Sequence, residues 1–600
     1  MRRPEASEHP VGMEWENEHF PMFTVPLEIF LQMTKVQEYE DLMDSKALCE
    51  FHEAMGKAMF VSHQWISKHH PDPKFQQLVV LQNALKNLLA GRSKVSLPPA
   101  IEIIANGTAK KCPTPADFQS SLFVWYDYFC CPQGNSALAC HQRELAIGSI
   151  SSYVARCFFF IVLCPALEHA DGQTLSYASW ERRGWCRMER MSRELARDDG
   201  FIISVQTASH PTLAWNLSGM AKAPGSGEFS FEIDRQRVGQ VILRMLWNKL
   251  HYHLANGELH NYRFLLSGHG KQFEGVPGLH PIEGLVSGFQ TETDPADDPG
   301  GFLVARFLHD NIFGRVTDRD TRGWSPLCYA VVQGDAVLVK ALLDSKADAN
   351  DQILCNKLEA TLRRKAPVLS LAVAYHNNEV AKVLIAARAN VDGGAGKPGT
   401  ALCWAASSNN ASAVRILCEA NADPHVKVFP DTSPFRIACC AGSVEAMKEL
   451  LMHFPALSLR FCLHSALVFF GSGEMVSSLI EAAADINEQL RVPSSRILWW
   501  SILKMLHAKH YLSSSALTYL AYHHYGATPL IVSILTGKFD ATAILLKAGA
   551  NTEIRNDRGK SAACFLQEMH VNMPLGLVFN QVAAENPPSD LEEEEDIFSI

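Results

Sequence analysis

Seven residues in the N-terminal half carry side chains able to do chemistry together: Ser62, His63, Trp65, Asp127, Arg183, Trp185 and Glu189. Glu189 closes the run Tyr177 to Glu189 (YASWERRGWCRME), which follows the apolar segment Cys157–Pro165 (CFFFIVLCP). That segment reads as a buried strand of a parallel sheet. A strand, a loop and then a helix put Glu189 beside the C-terminal end of a sheet, where open α/β sheets bind their ligands. There it is either the acid of a site or an ordinary helix charge, and the choice decides whether the chain is an enzyme. Cys186, at the start of the same helix, is a nucleophile only with a base such as His63 within reach; its plainer role is packing. His63, His69 and His70 lack the spaced set of four ligands that zinc requires, so no metal site is expected. Gly394, Gly396 and Gly399 spell G-x-G-x-x-G with no strand before them, which reads as a turn, and there is no P-loop pattern.

The elements that must position these residues alternate. Ala58–Trp65 (AMFVSHQW) reads as a strand ending in Ser62, His63 and Trp65, and Leu122–Tyr128 (LFVWYDY) as a second strand carrying Asp127. Phe75–Leu89 has leucines at 78, 81, 85 and 88, which suits an amphipathic helix, and His70–Pro73 (HPDP) forms a rigid entry to it. Arg143–Ala155 and Trp185–Ala196 read as two further helices. Strand–helix alternation predicts a parallel sheet covered on both faces, with Ser62, His63, Trp65, Asp127 and Glu189 at one edge. Leu27–Glu53 is expected to hold two helices.

Over roughly Met55–Gln206 this pattern resembles the Toll/interleukin-1 receptor (TIR) superfamily in a divergent form. Val61-Ser62-His63 matches the serine-containing loop after its first strand, and Asp127 the acidic end of its second. Trp185, Cys186 and Glu189 match three letters of its W-C-x-x-E-L motif, with Arg190 in place of leucine. Trp125, Asp127, Cys130 and Gln133 also fit the W-x-D-x-x-C-x-x-Q pattern of the heterokaryon-incompatibility domain, a distant relative. The resemblance implies a flavodoxin-like α/β fold that self-associates or signals. Enzymatic members cleave NAD at the nicotinamide–ribose bond, with a catalytic glutamate at the position of Glu189. Departure of nicotinamide leaves an oxocarbenium-like ribosyl that a carboxylate in a low-dielectric pocket stabilises. NAD would then be a substrate, with no resident cofactor. Trp185 or Trp65 would wall the pocket and Arg183 would meet a phosphate.

The C-terminal half repeats. Gly323–Ala330 (GWSPLCYA) fits the T-P-L-H-x-A opening of an ankyrin repeat, and 33 residues separate Ala372 from Ala405, Ala405 from Ala438, and Thr528 from Ser561. Openings also lie at Val368, Ser433 and Ser465. Ala484 and Ala550, each closing a unit, are 66 residues apart, which places a degenerate unit in the aromatic stretch Arg496–Tyr525. This resembles the ankyrin family over Asn311–Gln567, implying an all-α solenoid of seven to eight units with a protein partner on its concave face. The expected organisation is therefore multidomain: a helical lead (1–54), a TIR-like α/β domain (55–206), a helical linker with flexible loops (207–310), ankyrin repeats (311–570) and an acidic tail (571–600). Within the linker, Pro211–Phe231 marks a boundary and Gly268–Gly301 an exposed hinge.

Composition bounds the rest. Of 600 residues, 47% are hydrophobic and 20% charged, and the net charge of −10 argues against a general nucleic-acid binder. The longest apolar run falls far short of the ~20 residues that span a bilayer. Sixteen cysteines without a disulfide framework suggest a reducing compartment, and a cytoplasmic location is expected.

Overall fold

In the computed structural model, which describes residues 19–568 apart from 106–111, 173, 197–199, 215–221, 281, 357–361, 395–398, 429–431, 493–496 and 513–514, the apolar runs of the first half pair into one sheet. Its strands are β1 (Phe23–Pro26), β2 (Cys49–Glu50), β3 (Lys57–His63), β4 (Leu122–Trp125), β5 (Phe159–Leu163), β8 (Phe201–Val205) and β9 (Thr212–Leu213). A separate two-stranded ribbon joins β6 (Leu167–Glu168) to β7 (Thr174–Leu175). The order is β2-β1-β4-β3-β5-β8-β9. The four central strands are parallel and run 2-1-3-4 in their own chain order. This is the doubly wound arrangement, and its switch point lies beside β3. Every residue of β4 and β5 is buried, as a strand covered on both faces requires. The helix Gln76–Leu89 follows β3, and Asp72 starts it by accepting the backbone N–H groups of Gln76, Gln77 and Leu78 at 2.6, 2.7 and 3.0 Å. Ala137–Arg156 and Gly184–Leu195 pack against each other and on β3.

The edges of the sheet depart from the sequence expectation. The lead is not only helical: β1 pairs antiparallel with β4, so residues before 55 belong to the sheet domain. β9 adds an antiparallel strand beyond Gln206. The segment 223–229, expected to mark a boundary, is built in. Gly184 N–H donates to Glu228 O at 2.9 Å and Glu228 N–H returns to Arg182 O at 2.8 Å. Any Cβ on Gly184 would meet the Phe229 ring at 2.0 Å. The helix Glu232–Ala255 buries Val238, Ile242, Leu246 and Leu250 in the same core.

The next helix, Leu259–Gln272, bridges the two halves. Tyr262 and Phe273 lie in the sheet-domain core and Phe264 in the core of the array. Its His260 Nδ1 approaches Asp320 Oδ2 at 2.8 Å, and Asp320 also accepts from the Tyr329 hydroxyl. Together with Pro299–Asp310 it stacks on the first helical pair of the array and caps its open end. The expected hinge is partly core, since Ile282 and Leu285 are buried in the sheet domain.

The array itself consists of helical pairs at 326–344, 368–386, 401–419, 434–453, 462–481 and 529–547, with a further first helix at Ala562–Glu568. Ala330, Ala372, Ala405, Ala438 and Ala466 are fully buried where neighbouring helices meet. Ser325, Thr400, Ser433, Ser472 and Thr528 cap helix starts with their hydroxyls. Polar side chains stitch each unit to its predecessor: Asn377 Nδ2 donates to Val331 O at 2.6 Å and Asn410 Nδ2 to Val373 O at 2.9 Å. Lys538 Nζ does the same to Ala466 O at 3.0 Å and Gly471 O at 2.7 Å.

That last stitch corrects the reading of Arg496–Tyr525. The helices Ile497–His510 and Ala516–His523 form a hairpin that leaves the stack, while Cys462–Val468 packs directly on Pro529–Leu535. Leu490 and Gly526–Ala527 pinch its base through backbone hydrogen bonds of 2.9 and 3.0 Å. The insert happens to be about one period long, which is why spacing alone imitates a unit. The hairpin leans on the sheet domain, packing Leu506, Leu517 and Ala521 against Ile103. The acidic tail expected at 571–600 lies outside the described residues. Among the described residues no helix is long and apolar enough to cross a membrane.

Candidate functional site

β3 ends in Ser62 and His63 at the centre of the sheet, β4 runs directly into Asp127, and the helix Gly184–Leu195 brings Glu189 over the same edge. Ser62 Oγ donates to Glu189 Oε2 at 2.5 Å and accepts the Trp180 indole N–H at 2.9 Å. Trp180 and Ser62 are buried, so this chain of donors fixes one carboxylate oxygen from inside the protein. Beside it, His63 Nε2 lies 2.8 Å from Asp127 Oδ1, and the Trp65 indole N–H donates to Asp127 Oδ2 at 3.2 Å. The His63 ring stacks on Tyr126 with centroids 4.1 Å apart, and the Tyr126 hydroxyl is 3.3 Å from Nδ1. Both ring nitrogens are thereby engaged, which sets the imidazole's orientation.

The two carboxyls differ electrostatically. Burial raises Glu189 from 4.5 to about 7; the Ser62 hydrogen bond works against that, and the negative charge of Asp127 adds to it. Burial also pulls Asp127 upward, but the His63 charge and hydrogen bonds from His63, Trp65 and the Tyr128 amide outweigh it and lower its pKa. The Asp127 side chain keeps 40% of its surface exposed and is open to solvent. Two acids with pKa values pushed apart at one sheet edge are the arrangement from which acid and base roles are made.

The remaining candidates divide. Arg183 has no carboxylate partner among the described residues, yet its charge lies close enough to lower the pKa values of Glu189 and Cys186. Trp185 turns away, its indole donating to Asp234 Oδ2 at 3.2 Å on the following long helix. Trp180, fully buried, supports the site from beneath by donating its indole N–H to Ser62. Burial pushes the Cys186 thiol far up, and its Sγ points to the His63 carbonyl at 3.9 Å, so it packs and is no nucleophile at neutral pH. Arg190, standing where the TIR motif has leucine, is buried but satisfied by Glu194 at 2.9 Å and the Tyr177 hydroxyl at 3.0 Å.

Sequence reasoning missed three contributors. Trp180, in the short helix Tyr177–Arg182, and Tyr126, just after β4, sit where an aromatic reads as packing. Ser179 donates to Gln64 Oε1 at 2.7 Å and ties the short helix Tyr177–Arg182, ahead of the site helix, to the end of β3. The available signal was Ser176–Ser179, whose spacing forms a capping box on Tyr177–Arg182. Among the described residues no three His, Cys, Asp or Glu side chains converge as a metal set.

Compared with known families, the chain matches the ankyrin repeat over residues 322–353 and 399–427. No curated protein matches it. The chain thus carries ankyrin repeats within 322–427, joined to an N-terminal α/β sheet domain.

Proposed function

We propose that this is an interaction protein in which the ankyrin array holds a protein partner on its concave face and a TIR-like sheet domain self-associates or signals. What supports this reading is the array together with the bridging helix Leu259–Gln272, whose side chains are shared by both cores. A partner seated on the array is felt by the sheet domain through packed side chains and not through a loose tether. Sedimentation of the full chain over a range of concentrations tests the self-association half, with reversible growth expected. A strictly monomeric species at all concentrations would remove it.

We propose as a second reading an NAD glycohydrolase with the array as sensor or targeting arm; what supports it is the Ser62–Glu189 pair at the end of β3. Breaking the nicotinamide–ribose bond sends the bonding pair to nicotinamide and leaves cationic character on the ribosyl, which water then captures with loss of a proton to give ADP-ribose. Ionised Glu189, held by Ser62, would stabilise that cation, and Arg183 would meet a phosphate. Because Glu189 titrates near 7, turnover should rise with pH through about 7 as the carboxylate forms. Incubating the purified chain with NAD and separating the products is the test. Glu189→Gln should lower the rate at least 100-fold, a loss of the size seen for one transition-state contact, with the fold retained. An inert wild type, as monomer and in assembled form, would exclude this reading and leave the first intact.

A further inference from the structure

The hairpin that leaves the stack carries a cavity of about 300 Å³, lined by Trp500, Lys504, His507, Tyr522, Tyr525 and Arg558 among others. That volume is at the lower end of small-molecule sites. It does not rest on any reading of Glu189, which lies in the sheet domain.

Three features define what the cavity would hold. First, its charge is uncompensated. Lys504 and Arg558 have no carboxylate partner among the described residues, and the one acid in the lining, Asp557, is committed to Arg491 at 2.9 Å. Second, Arg558 is locked in place. Its Nε donates to Tyr522 O at 2.9 Å, one NH2 nitrogen lies 3.2 Å from His507 Nε2, and the guanidinium sits 3.3 Å over the Tyr522 ring. A cation fixed in this way loses little further freedom on binding an anion. Third, the rim is aromatic and partly open: Trp500 is 39% and Tyr525 37% exposed. Burial, followed by the charges of Arg558, Lys504 and His510, lowers the pKa of His507, so the imidazole is neutral and leaves the two cations as the positive centre.

We infer that this cavity binds a nucleoside monophosphate, its phosphate between Lys504 and Arg558 and its base against Trp500 and Tyr525. Two uncompensated cations match a dianionic phosphate monoester better than a single carboxylate, and exposed rings match a planar base.

The test is titration of the full chain with AMP, inorganic phosphate, adenosine and O-phosphotyrosine, followed by tryptophan fluorescence and calorimetry. AMP should bind saturably, at least tenfold tighter than phosphate or adenosine alone, and more weakly as salt rises. Arg558→Gln and Lys504→Gln should each weaken AMP at least tenfold, and Trp500→Leu several-fold. Arg558 supports its surroundings, so the Lys504 variant serves as the independent check: its side chain forms no hydrogen bond or ion pair among the described residues. No saturable AMP binding by the folded wild type, or unchanged affinity in the Lys504 variant, would overturn the assignment. So would tighter binding of O-phosphotyrosine than of AMP.

Discussion

Buried and half-buried polar side chains occur in both halves of the molecule, but they serve different ends. In the array they recur with the repeat: Ser325, Thr400, Ser433 and Thr528 cap helices, while Asn377, Asn410 and Lys538 satisfy carbonyls of the preceding unit. Each answers a backbone need that the helices themselves create. At the end of β3 and β4, Ser62 pairs with Glu189 and His63 with Asp127, bonds that join side chain to side chain and not side chain to backbone. A parallel sheet is as stable with apolar residues there. Polar burial that the fold does not require is the physical mark that separates a candidate site from a scaffold.

Breaking the scaffold should have the largest effect. Leu417 is fully buried between units on the helix Ala411–Glu419. Leu417→Ala should cost about 2–5 kcal/mol through lost burial and a residual cavity. Denaturant unfolding measures this, and because a solenoid is stabilised through nearest neighbours, hydrogen exchange should show the flanking units weakened first. A loss below about 1 kcal/mol would mean that the array is far looser than its burial implies.

The site should respond in the opposite direction. Folded Glu189 keeps its proton up to about 7, whereas the unfolded chain releases it near 4.5. Between these values the folded state binds more protons, so this group lowers stability as pH rises through the window. The penalty is complete above it and absent below. Glu189→Gln retains an acceptor for Ser62 and removes the buried charge. It should therefore stabilise the chain at pH 8 by on the order of 1–3 kcal/mol and change little at pH 4.5. Melting curves at the two pH values decide; equal shifts at both would mean the carboxyl is not held near neutrality by burial.

Much of this division is legible in the sequence, for reasons that differ by region. The stack is visible because its small residues and caps recur at 33, and a repeated geometric demand leaves a repeated residue. Strands β3, β4 and β5 are visible because burial on both faces leaves unbroken apolar runs. From them follows the placing of Ser62, His63, Asp127 and Glu189 at one edge. β1 was hidden because four residues, Phe23–Pro26, carry neither a period nor a long apolar run. That the Trp185 indole turns to Asp234 was not legible, since which way a side chain faces depends on how the segment before it turns. The hairpin was misread because its length, and not its packing, is what a spacing records.

The smallest effect concerns that hairpin, which stands outside the continuous stack and touches the last unit through His523 against Phe565, ring centroids 5.0 Å apart. It meets the sheet domain through Leu506, Leu517 and Ala521 against Ile103, and through Ser515 Oγ donating to Glu102 at 3.2 Å. Glu102 is partly exposed and its distance to Lys509 is 4.0 Å, so the ion pair contributes little. Glu102→Ala should then cost only about 0.5–1 kcal/mol, essentially the hydrogen bond to Ser515. The change should be local: faster amide exchange across 497–523, with the stacked helices 529–547 unaffected because Lys538 ties them to Gly471 independently. Equal loss of protection in 529–547 would mean that the hairpin is a true member of the stack after all.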